Sequence, residues 1–495
     1  MSELAENPRR ALHWFRNDLR LGDNPALARA STAGALLTVF VLEDNADHRP
    51  RGGASRWWLR HSLAALQANL AAQGCSLLLL RGDSRVLVPA LAAHLDCDLV
   101  TWNRRYGAAE RGTDGAIKQQ LNRCGIRAES FNGALLYEPM EIRSKAGGPM
   151  RVFTPFWRAC RALREPAVPL PPPRSIPGSP VLPGEVASLT TLEDFALLPS
   201  APDWAGGLRA SWTPGEQGAQ AVLERFIADG LAGYAENRDR PDLPATSRLS
   251  PHLAAGDISP RQVWHSLSRA VLEGRSRASE RDLDKFLSEL GWREFSYHLL
   301  FHFPDLPHAN FQPKFDAFPW MRDKTALRAW QRGKTGYPLV DAGMRELWQT
   351  GTMHNRVRMI AASFLIKHLM QDWRAGEAWF WDTLCDADPA SNAASWQWVA
   401  GSGADAAPFF RIFNPIAQGR KFDPTGDYVR RFVPEIAALP DQYLHCPWEA
   451  PAAIREKAGV RLGETYPHPI VPHDAARERA LAAFKAISAA ESDAD

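Results

Sequence analysis

The chain of 495 residues is 45% hydrophobic and 23% charged, and its formal net charge is +2 at pH 7. These values are those of an ordinary soluble globular protein, and the length predicts two or more domains. No apolar run approaches the roughly 18 residues that a membrane helix requires, so we expect no membrane association. The near-neutral net charge does not by itself indicate nucleic-acid binding, although a local basic face could still contact phosphates.

The cysteines and the first residues of the chain bear on its compartment. Residues 1–10 are polar and lack the apolar stretch of a signal peptide. The six cysteines are scattered without a paired or metal-type spacing, which indicates reduced thiols and argues against structural zinc. We therefore expect a cytoplasmic protein without a metal site. Tryptophan is in excess, with 18 against 8 tyrosines, and indoles serve for packing, for stacking and as readily oxidised electron carriers.

Residues 11 to about 137 alternate short apolar runs with helical patterns. Predicted strands lie at 11–15, 36–42, 76–81, 98–102 and 127–130. Predicted helices lie between them at 55–72, 84–94 and 105–123. This alternation predicts a doubly wound parallel α/β domain, which binds ligands at the carboxyl ends of its strands. There is no G-x-G-x-x-G motif and no P-loop, so a nucleotide in this half would have to be held in another way.

The middle of the chain is a predicted linker, and the rest is helical. Prolines recur from about 166 to 202 and cannot sustain a helix or a central strand, so this segment should be extended. Helical periodicity and caps dominate from 214 onward. The predicted helices lie at 216–229, 260–274, 279–301, 325–332, 340–351, 354–371, 375–386 and 475–490. The fold class is therefore α/β plus all-α, with an N-terminal parallel α/β domain, an extended linker and a large α-helical domain.

Two short motifs in the helical part carry candidate chemistry. The run Thr246-Ser247-Arg248-Leu249-Ser250 supplies hydroxyls and backbone N–H groups at a helix start. Such a start can receive a phosphate without a lysine, although a simple N-cap explains it equally. On the predicted helix 279–301, Glu289, Trp292 and Arg293 present an acid, an aromatic plate and a cation on one surface. The alternative is a solvated ion pair between Glu289 and Arg293.

The segment 353–415 concentrates polar and aromatic side chains. Its helical start places Asn355 and Met359 on one face, and the nearby arginines are planar forks suited to phosphate or carboxylate. Acceptors and an amide follow in a turn-rich stretch, and two indoles lie just beyond. These later side chains are Asp386, Asp388, Asn392, Trp396 and Trp398. Together they suit a flat, polar, heteroaromatic ligand, whereas each alone would indicate a polar helix end followed by a tryptophan pair in a helical core.

These motifs, with the opening Trp14-Phe15-Arg16-Asn17-Asp18-Leu19-Arg20, resemble those of the DNA photolyase and cryptochrome family from 14 to about 447. The resemblance implies an α/β antenna domain at 1–140, a linker at 141–212 and a C-terminal tail at 481–495. The residues between, 213–480, would form the α-helical catalytic domain that binds FAD and DNA.

The family's FAD contacts fall on a defined set of positions. The matching residues are Tyr234, Thr246, Ser247, Arg248, Leu249, Ser250, Arg358, Asp386, Asp388 and Asn392. Arg358 would pair with Asp386. Asn392 would face flavin N5, where an amide can donate to reduced flavin without supplying a proton; plant cryptochromes usually carry an aspartate there. The tryptophan chain that photoreduces FAD matches Trp320, Trp373 and Trp396, from the surface inward.

The family's lesion and DNA contacts give a second set. The matching residues are Arg238, Glu289, Trp292, Arg293, Asn355, Arg356, Met359, Trp398 and Gln418. Glu289 would hydrogen-bond the lesion base, with Trp292 and Trp398 stacking on the lesion. Relatives that repair (6-4) photoproducts have histidines at the positions of Asn355 and Met359, because that repair requires proton transfer. Asn and Met suit a cyclobutane pyrimidine dimer, whose splitting needs only an electron that is added and returned.

The resemblance thus implies a monomeric deoxyribodipyrimidine photo-lyase of the bacterial type, with FAD as cofactor and UV-damaged DNA as partner. A second, antenna chromophore, either methenyltetrahydrofolate or a deazaflavin, is expected, and Glu110 is a candidate contact for it or simply an exposed helix residue. The alternative function is a cryptochrome-type blue-light photoreceptor without repair activity, against which Asn392 argues. A second alternative is a DNA-binding module without photochemistry, which the absorbance of FAD in the purified protein would exclude.

Overall fold

The structure is a computed structural model and describes residues 7–43, 45–179, 190–405 and 410–492. Its first part contains a five-stranded parallel sheet with the strand order β3-β2-β1-β4-β5. The strands are β1 (Arg10–Phe15), β2 (Ala35–Leu42), β3 (Leu77–Arg81), β4 (Leu99–Asn103) and β5 (Arg127–Phe131). The helices of this part are α1 (Pro25–Ala30), α2 (Gly53–Ala71), α3 (Ser84–His94) and α4 (Ala108–Arg123). The predicted parallel α/β fold and its five strands are confirmed.

Both faces of the central strand β1 are covered, which explains why its residues from Ala11 to Phe15 are all buried. Successive side chains of a strand point to opposite faces. Accordingly, Ala11 and Phe15 pack into one apolar core, whereas Leu12 and Trp14 pack into another on the other side of the sheet. The chain runs from β1 through β2 to β3 on one side and then crosses to β4 on the other side of β1. The residues that follow β1 and β4 therefore lie at the switch point where such sheets bind ligands.

The helical part is confirmed. Its helices up to residue 302 are α5 (Phe153–Leu163), α6 (Gly206–Ser211), α7 (Glu216–Arg225), α8 (Tyr234–Asn237), α9 (Ser250–Ala255), α10 (Pro260–Leu272) and α11 (Glu280–His302). The following helices up to residue 400 are α12 (Lys324–Gln331), α13 (Pro338–Thr350), α14 (Asn355–Ser363), α15 (Trp373–Thr383) and α16 (Pro389–Ala400). The last helices are α17 (Pro415–Phe422), α18 (Asp427–Phe432), α19 (Asp441–Leu444), α20 (Ala452–Lys457) and α21 (His473–Ser492).

The segment after the sheet is only partly extended. Residues 165–179 contain neither helix nor strand, as predicted, while 180–189 lie outside the described residues. Helices α5 and α6 fall inside the range 141–212 that the sequence assigns to the linker. Helix α5 packs on α11, with the Phe153 ring stacked on Trp292 at 3.8 Å between ring centroids. This packing makes α5 part of the helical body.

The stretch that follows Asp386 is helical rather than turn-rich. Asp388 is the N-cap of α16, and its Oδ1 accepts from the backbone N–H groups of Ala390 and Ser391 at 3.0 and 2.7 Å. Pro389 at the first helical position is pre-organised for a helix start. Because α16 is apolar or small on nearly all sides, its sequence carries no helical period. The cap is therefore what defines this helix.

The predicted helix 354–371 is interrupted, because α14 gives way to a π-helix at Phe364–His368. No helix among the described residues combines the length and apolarity needed to cross a membrane. Residues 406–409 of the segment 353–415, and 493–495 of the predicted tail, lie outside the described residues.

Candidate active site

A cavity of about 290 Å³ lies between the two apolar cores of the helical part. Helices α11, α14 and α16 provide much of its wall. Thirteen of the predicted site residues line it, namely Tyr234, Ser247, Leu249, Ser250, Glu289, Arg293, Asn355, Arg358, Met359, Asp386, Asp388, Asn392 and Trp396. Eight of the ten predicted FAD contacts and four of the nine predicted lesion and DNA contacts therefore share one cavity.

Arg358 and Asp386 form the ion pair that the sequence predicts. Arg358 Nη2 lies 2.9 Å from Asp386 Oδ2, and the carboxylate is buried. The other carboxylate oxygen, Asp386 Oδ1, is buried without a hydrogen-bond partner among the described residues. A buried acceptor without a donor costs free energy, on the order of 1–3 kcal/mol. An N–H group of a heteroaromatic ligand in the cavity would satisfy it.

Asn392 presents an acceptor to the cavity. Its Nδ2 donates to Glu377 Oε1 at 2.8 Å and to the Glu377 carbonyl at 3.1 Å. Both acceptors require the NH₂ end of the amide, so the orientation is fixed and Oδ1 remains for a ligand. The expectation that this amide donates to flavin N5 is therefore corrected, because its donors are already used within the protein.

Asp388 joins the cavity to α11. Tyr297 donates its hydroxyl proton to Asp388 Oδ2 at 2.5 Å. Burial, and then the adjacent Asp388 charge, raise the pKa of Tyr297 well above its ordinary value. Tyr297 therefore remains a donor at all physiological pH values, and it holds the residue that caps α16.

The acidic and basic groups predicted to meet DNA are paired with each other. Arg238 Nη1 donates to Glu289 Oε1, and Lys285 lies 3.4 Å from the same oxygen. Arg293 instead donates to the Ala134 carbonyl at 2.8 Å. The predicted alternative of a Glu289–Arg293 pair is thus not what the structure has.

The two indoles predicted to stack on the lesion lie outside the cavity wall. Trp292 is stacked on Phe153, with an angle of 9° between the rings. Trp398 borders a separate, small cavity of about 30 Å³ together with Phe410 and Phe413. Their assignment to lesion stacking stays a prediction.

A wider groove of about 660 Å³ adjoins Arg356 and Gln418. Its other charged residues are Glu236, Asp239, Arg240, Arg411 and Lys421. Four cationic side chains against two carboxylates suit a phosphate backbone. The groove is therefore a local basic face in a chain whose net charge is only +2.

The three tryptophans of the predicted electron chain differ in burial, and their order as an electron path stays a prediction. Trp396 lines the cavity and packs against Gly376 of α15, where an added Cβ would clash with its ring. Trp373 begins the same helix, fully buried, and its Nε1 donates to Asn310. Trp320 is only partly buried, and the next residue donates its backbone N–H to the Met370 carbonyl at 2.7 Å.

Glu110 borders a third cavity, of about 40 Å³, between the α/β domain and the helical part. Tyr297 and Pro389 close it on the helical side, and Tyr106 contributes a buried side chain beside Arg104. Of the other predicted residues, Thr246 and Arg248 flank the wall residue Ser247. Arg248 lies over the Trp212 ring at 4.2 Å.

Glu377 and Arg49 are the site residues that the sequence does not reveal. Glu377 holds Asn392, and Arg49 makes a two-pronged ion pair with Glu377 at 2.7 and 2.9 Å. They stand 328 positions apart, so no local pattern links them. Glu377 lies one turn after Trp373 on α15. The sequence alone does not show that this face of α15 is buried, so the role of Glu377 becomes visible only in the structure.

The parallel α/β domain is joined to a helical domain that has an acceptor-containing cavity and a flanking groove rich in cations. This arrangement suits a protein that holds a cofactor and acts on nucleic acid. Family models agree: residues 11–174 match the one described as DNA photolyase, and residues 286–486 match the FAD binding domain of DNA photolyase. The chain belongs to the DNA photolyase and cryptochrome family.

Three relatives define its place in that family. A deoxyribodipyrimidine photo-lyase of Agrobacterium fabrum is 56% identical over 96% of this chain and 97% of its own length. The crystal structure of a bacterial class III photolyase from Agrobacterium tumefaciens superposes with a TM-score of 0.92 at 54% identity, covering 98% of this chain and all of that one. Cryptochrome-2 of Arabidopsis thaliana is more distant, at 39% identity over 95% of this chain and 78% of its own length.

Proposed function

We propose that the protein is a light-driven DNA repair enzyme with deoxyribodipyrimidine photo-lyase activity, which splits cyclobutane pyrimidine dimers in UV-damaged DNA. The observation that carries the proposal is that one cavity joins Asn392, Arg358 and Asp386 to Glu289 and Met359. A cofactor held by the first three would lie beside a base held by the other two. The 56% identity to a photo-lyase over nearly the whole chain supports the same activity.

The residues around the cavity fit FAD. Asp386 Oδ1 offers a buried, unsatisfied acceptor. Asn392, whose Nδ2 donates to Glu377, has its Oδ1 left to accept from a ligand. Ser247 and Ser250 supply hydroxyls at the start of α9 for the diphosphate and ribityl oxygens. When bound and reduced, FAD supplies the light-driven electron that opens the cyclobutane ring. The protein binds and orients the cofactor, and its apolar lining limits the access of water.

The chain's own residues would then receive a dimer that has left the DNA stack. Glu289 would exchange Arg238 and Lys285 for the exposed polar edge of the base. Asn355 would brace the same pocket, and Met359 would contact the ring without offering a proton. Extrusion of a damaged pair is less costly than that of an intact pair, which contributes to selectivity.

The remaining features are part of the same proposal. The cavity beside Glu110 is a candidate site for an antenna chromophore, either methenyltetrahydrofolate or a deazaflavin, although it would have to widen beyond about 40 Å³. The test is whether the purified protein has absorbance beyond that of FAD and whether Glu110→Ala loses it.

We further propose that the enzyme works as a monomer in the cytoplasm. Light scattering of the purified protein tests whether it is a monomer.

Light-dependent repair of an oligonucleotide with one defined thymine dimer tests the proposal. The chemically reduced protein should restore the oligonucleotide under blue light and leave it unchanged in the dark. Asn392→Ala, which removes the cavity acceptor, serves as the impaired variant. A protein that binds FAD and absorbs light but shows no turnover would instead be a photoreceptor of the cryptochrome type.

A further inference from the structure

Arg49 connects the α/β domain to the wall of the cavity. It lies between β2 and α2, and its guanidinium grips Glu377 of α15 with Nη1 to Oε1 at 2.7 Å and Nη2 to Oε2 at 2.9 Å. The same guanidinium lies over the Trp381 ring at 4.2 Å from its centroid. Since Glu377 and Trp381 are one turn apart on α15, both fix the position of one cation.

Glu377 transmits this contact to the cavity. Its side chain is 6% exposed and that of Arg49 36% exposed, so the carboxylate depends on this arginine for its counter-charge. Glu377 Oε1 accepts from Arg49 and also from Asn392 Nδ2 at 2.8 Å. A buried carboxylate that loses its paired cation is no longer held in place. The Oε1 contact to Asn392 then weakens, and only the Glu377 backbone carbonyl, at 3.1 Å, still accepts from the amide.

We propose that Arg49 is a positioning residue of the cofactor site: through Glu377 it holds the Asn392 amide with its oxygen towards the cavity. This inference rests on the proposed binding of FAD there. Reduced flavin carries a proton on N5 and is a donor at that atom, whereas oxidised flavin is an acceptor. An amide oxygen beside N5 therefore favours the reduced cofactor, and the α/β domain sets the redox preference of a cofactor bound by the other domain.

The test is the two-electron midpoint potential of bound FAD, measured without DNA by titration with dithionite in the presence of redox dyes. Arg49→Ala should shift the ratio of reduced to oxidised flavin about tenfold towards the oxidised form at a fixed ambient potential. That shift is a fall of about 30 mV for a two-electron couple. Arg49→Lys should lie between this variant and the wild type, because a lysine keeps the charge but not the two-pronged geometry.

Two further variants separate positioning from a general structural effect. Arg261→Ala removes another ion pair between the domains, Arg261 Nε to Asp23 Oδ2 at 2.9 Å, without touching Asn392, and should leave the potential at the wild-type value. In an Asn392→Ala background, the Arg49→Ala substitution should have no further effect, because the pathway from Arg49 to the cavity ends at that amide.

Three results would overturn the proposal: an unchanged potential in Arg49→Ala, an equal fall in Arg261→Ala, or an undiminished effect of Arg49→Ala when Asn392 is absent. If Arg49→Ala does not fold or retain FAD, Arg49→Lys carries the same comparison. The measurement uses no substrate, so a protein without repair activity can still confirm it. Failure to bind FAD in the wild type would instead refute the proposed function.

Discussion

The guanidinium of Arg356 donates to the carboxylate of Asp239 at 2.6 Å, at the edge of the basic groove. Arg356 also lies over the ring of Phe422, 4.6 Å from its centroid. A side chain held on both sides loses little conformational freedom when it binds a phosphate. Asp239 must nevertheless be displaced or shared, so it competes with DNA for this arginine.

Asp239→Asn should therefore tighten DNA binding, by up to about fivefold if a partly exposed ion pair worth about 1 kcal/mol is released. Arg356→Ala should weaken binding to damaged and undamaged duplex alike, because a phosphate contact positions the DNA without reading the lesion. Fluorescence anisotropy at several salt concentrations measures both. The salt slope should drop by roughly 0.9 for each phosphate that the variant no longer neutralises. A loss confined to damaged DNA would place Arg356 in the lesion pocket.

The parts of the structure that the sequence predicts are those with local signals. Strands β1 to β4 are built on short, mainly apolar runs, whereas β5 is largely polar. All five lie within a residue of the predicted positions. The Arg358–Asp386 pair is foreseen by resemblance, and only 28 positions separate its members. In contrast, α16 has no polar–apolar period, so its helical form depends on the Asp388 cap.

Tertiary geometry explains the remaining differences. The sequence establishes that Asn392 is an amide, but only the structure shows which end of it faces the cavity. That choice depends on Glu377, which depends in turn on Arg49 from another domain. Likewise, Trp292 and Glu289 share one helix surface, yet the stacking of Trp292 on Phe153 turns the indole away from the cavity wall.

Glu294 should make the stability of the protein dependent on pH. Burial raises the pKa of this carboxyl from 4.5 to about 7, although the adjacent Arg293 opposes the shift. The folded state therefore favours the protonated carboxyl, and the resulting stability, complete below about pH 4.5, is lost as the pH rises through 7. Glu294→Gln should retain an acceptor for the backbone N–H groups of Leu136 and Tyr137 without a buried charge.

The expected outcome is a higher thermal midpoint for Glu294→Gln than for the wild type at pH 8, with a smaller difference at pH 6. Differential scanning fluorimetry at both pH values measures it. Glu129→Gln is a suitable control for the loss of an ion-paired carboxyl, because Glu129 is a partly exposed partner of Arg29. A variant that is destabilised equally at both pH values would show that the carboxyl is needed in its charged form.

Trp396→Phe should abolish or greatly slow the photoreduction of oxidised FAD, while repair by the chemically reduced enzyme largely survives. The reason is that the tryptophan chain delivers electrons to the cofactor, whereas the cofactor itself delivers the electron to the dimer. Transient absorption follows the first process and oligonucleotide repair the second. Trp264→Phe, a buried indole of the other core, controls for the loss of packing. Photoreduction at the wild-type rate in Trp396→Phe would show that this tryptophan is not part of the electron-transfer path.

The last prediction concerns the choice of lesion and depends on three residues of the cavity wall, Glu289, Asn355 and Met359. A dimer outside the stack leaves its Watson–Crick edge unpaired, and a buried unpaired polar group costs about 1–3 kcal/mol. Glu289 can accept from thymine N3–H once it leaves Arg238. Glu289→Ala should therefore lower dimer affinity and repair yield by about tenfold, for a loss of roughly 1.4 kcal/mol.

The same wall should leave (6-4) photoproducts unrepaired, because that chemistry needs a proton donor. Asn355 and Met359 have no acidic proton to give at neutral pH. The histidine next to Asn355 in the sequence, His354, caps α14, and its Nδ1 accepts from the backbone N–H of Arg356. Burial lowers the pKa of His354 to about 4, so this imidazole is neutral at pH 7. Both lesions assayed in parallel with the reduced protein give the measurement. Robust (6-4) repair, or undiminished dimer repair in Glu289→Ala, would contradict these roles for the pocket.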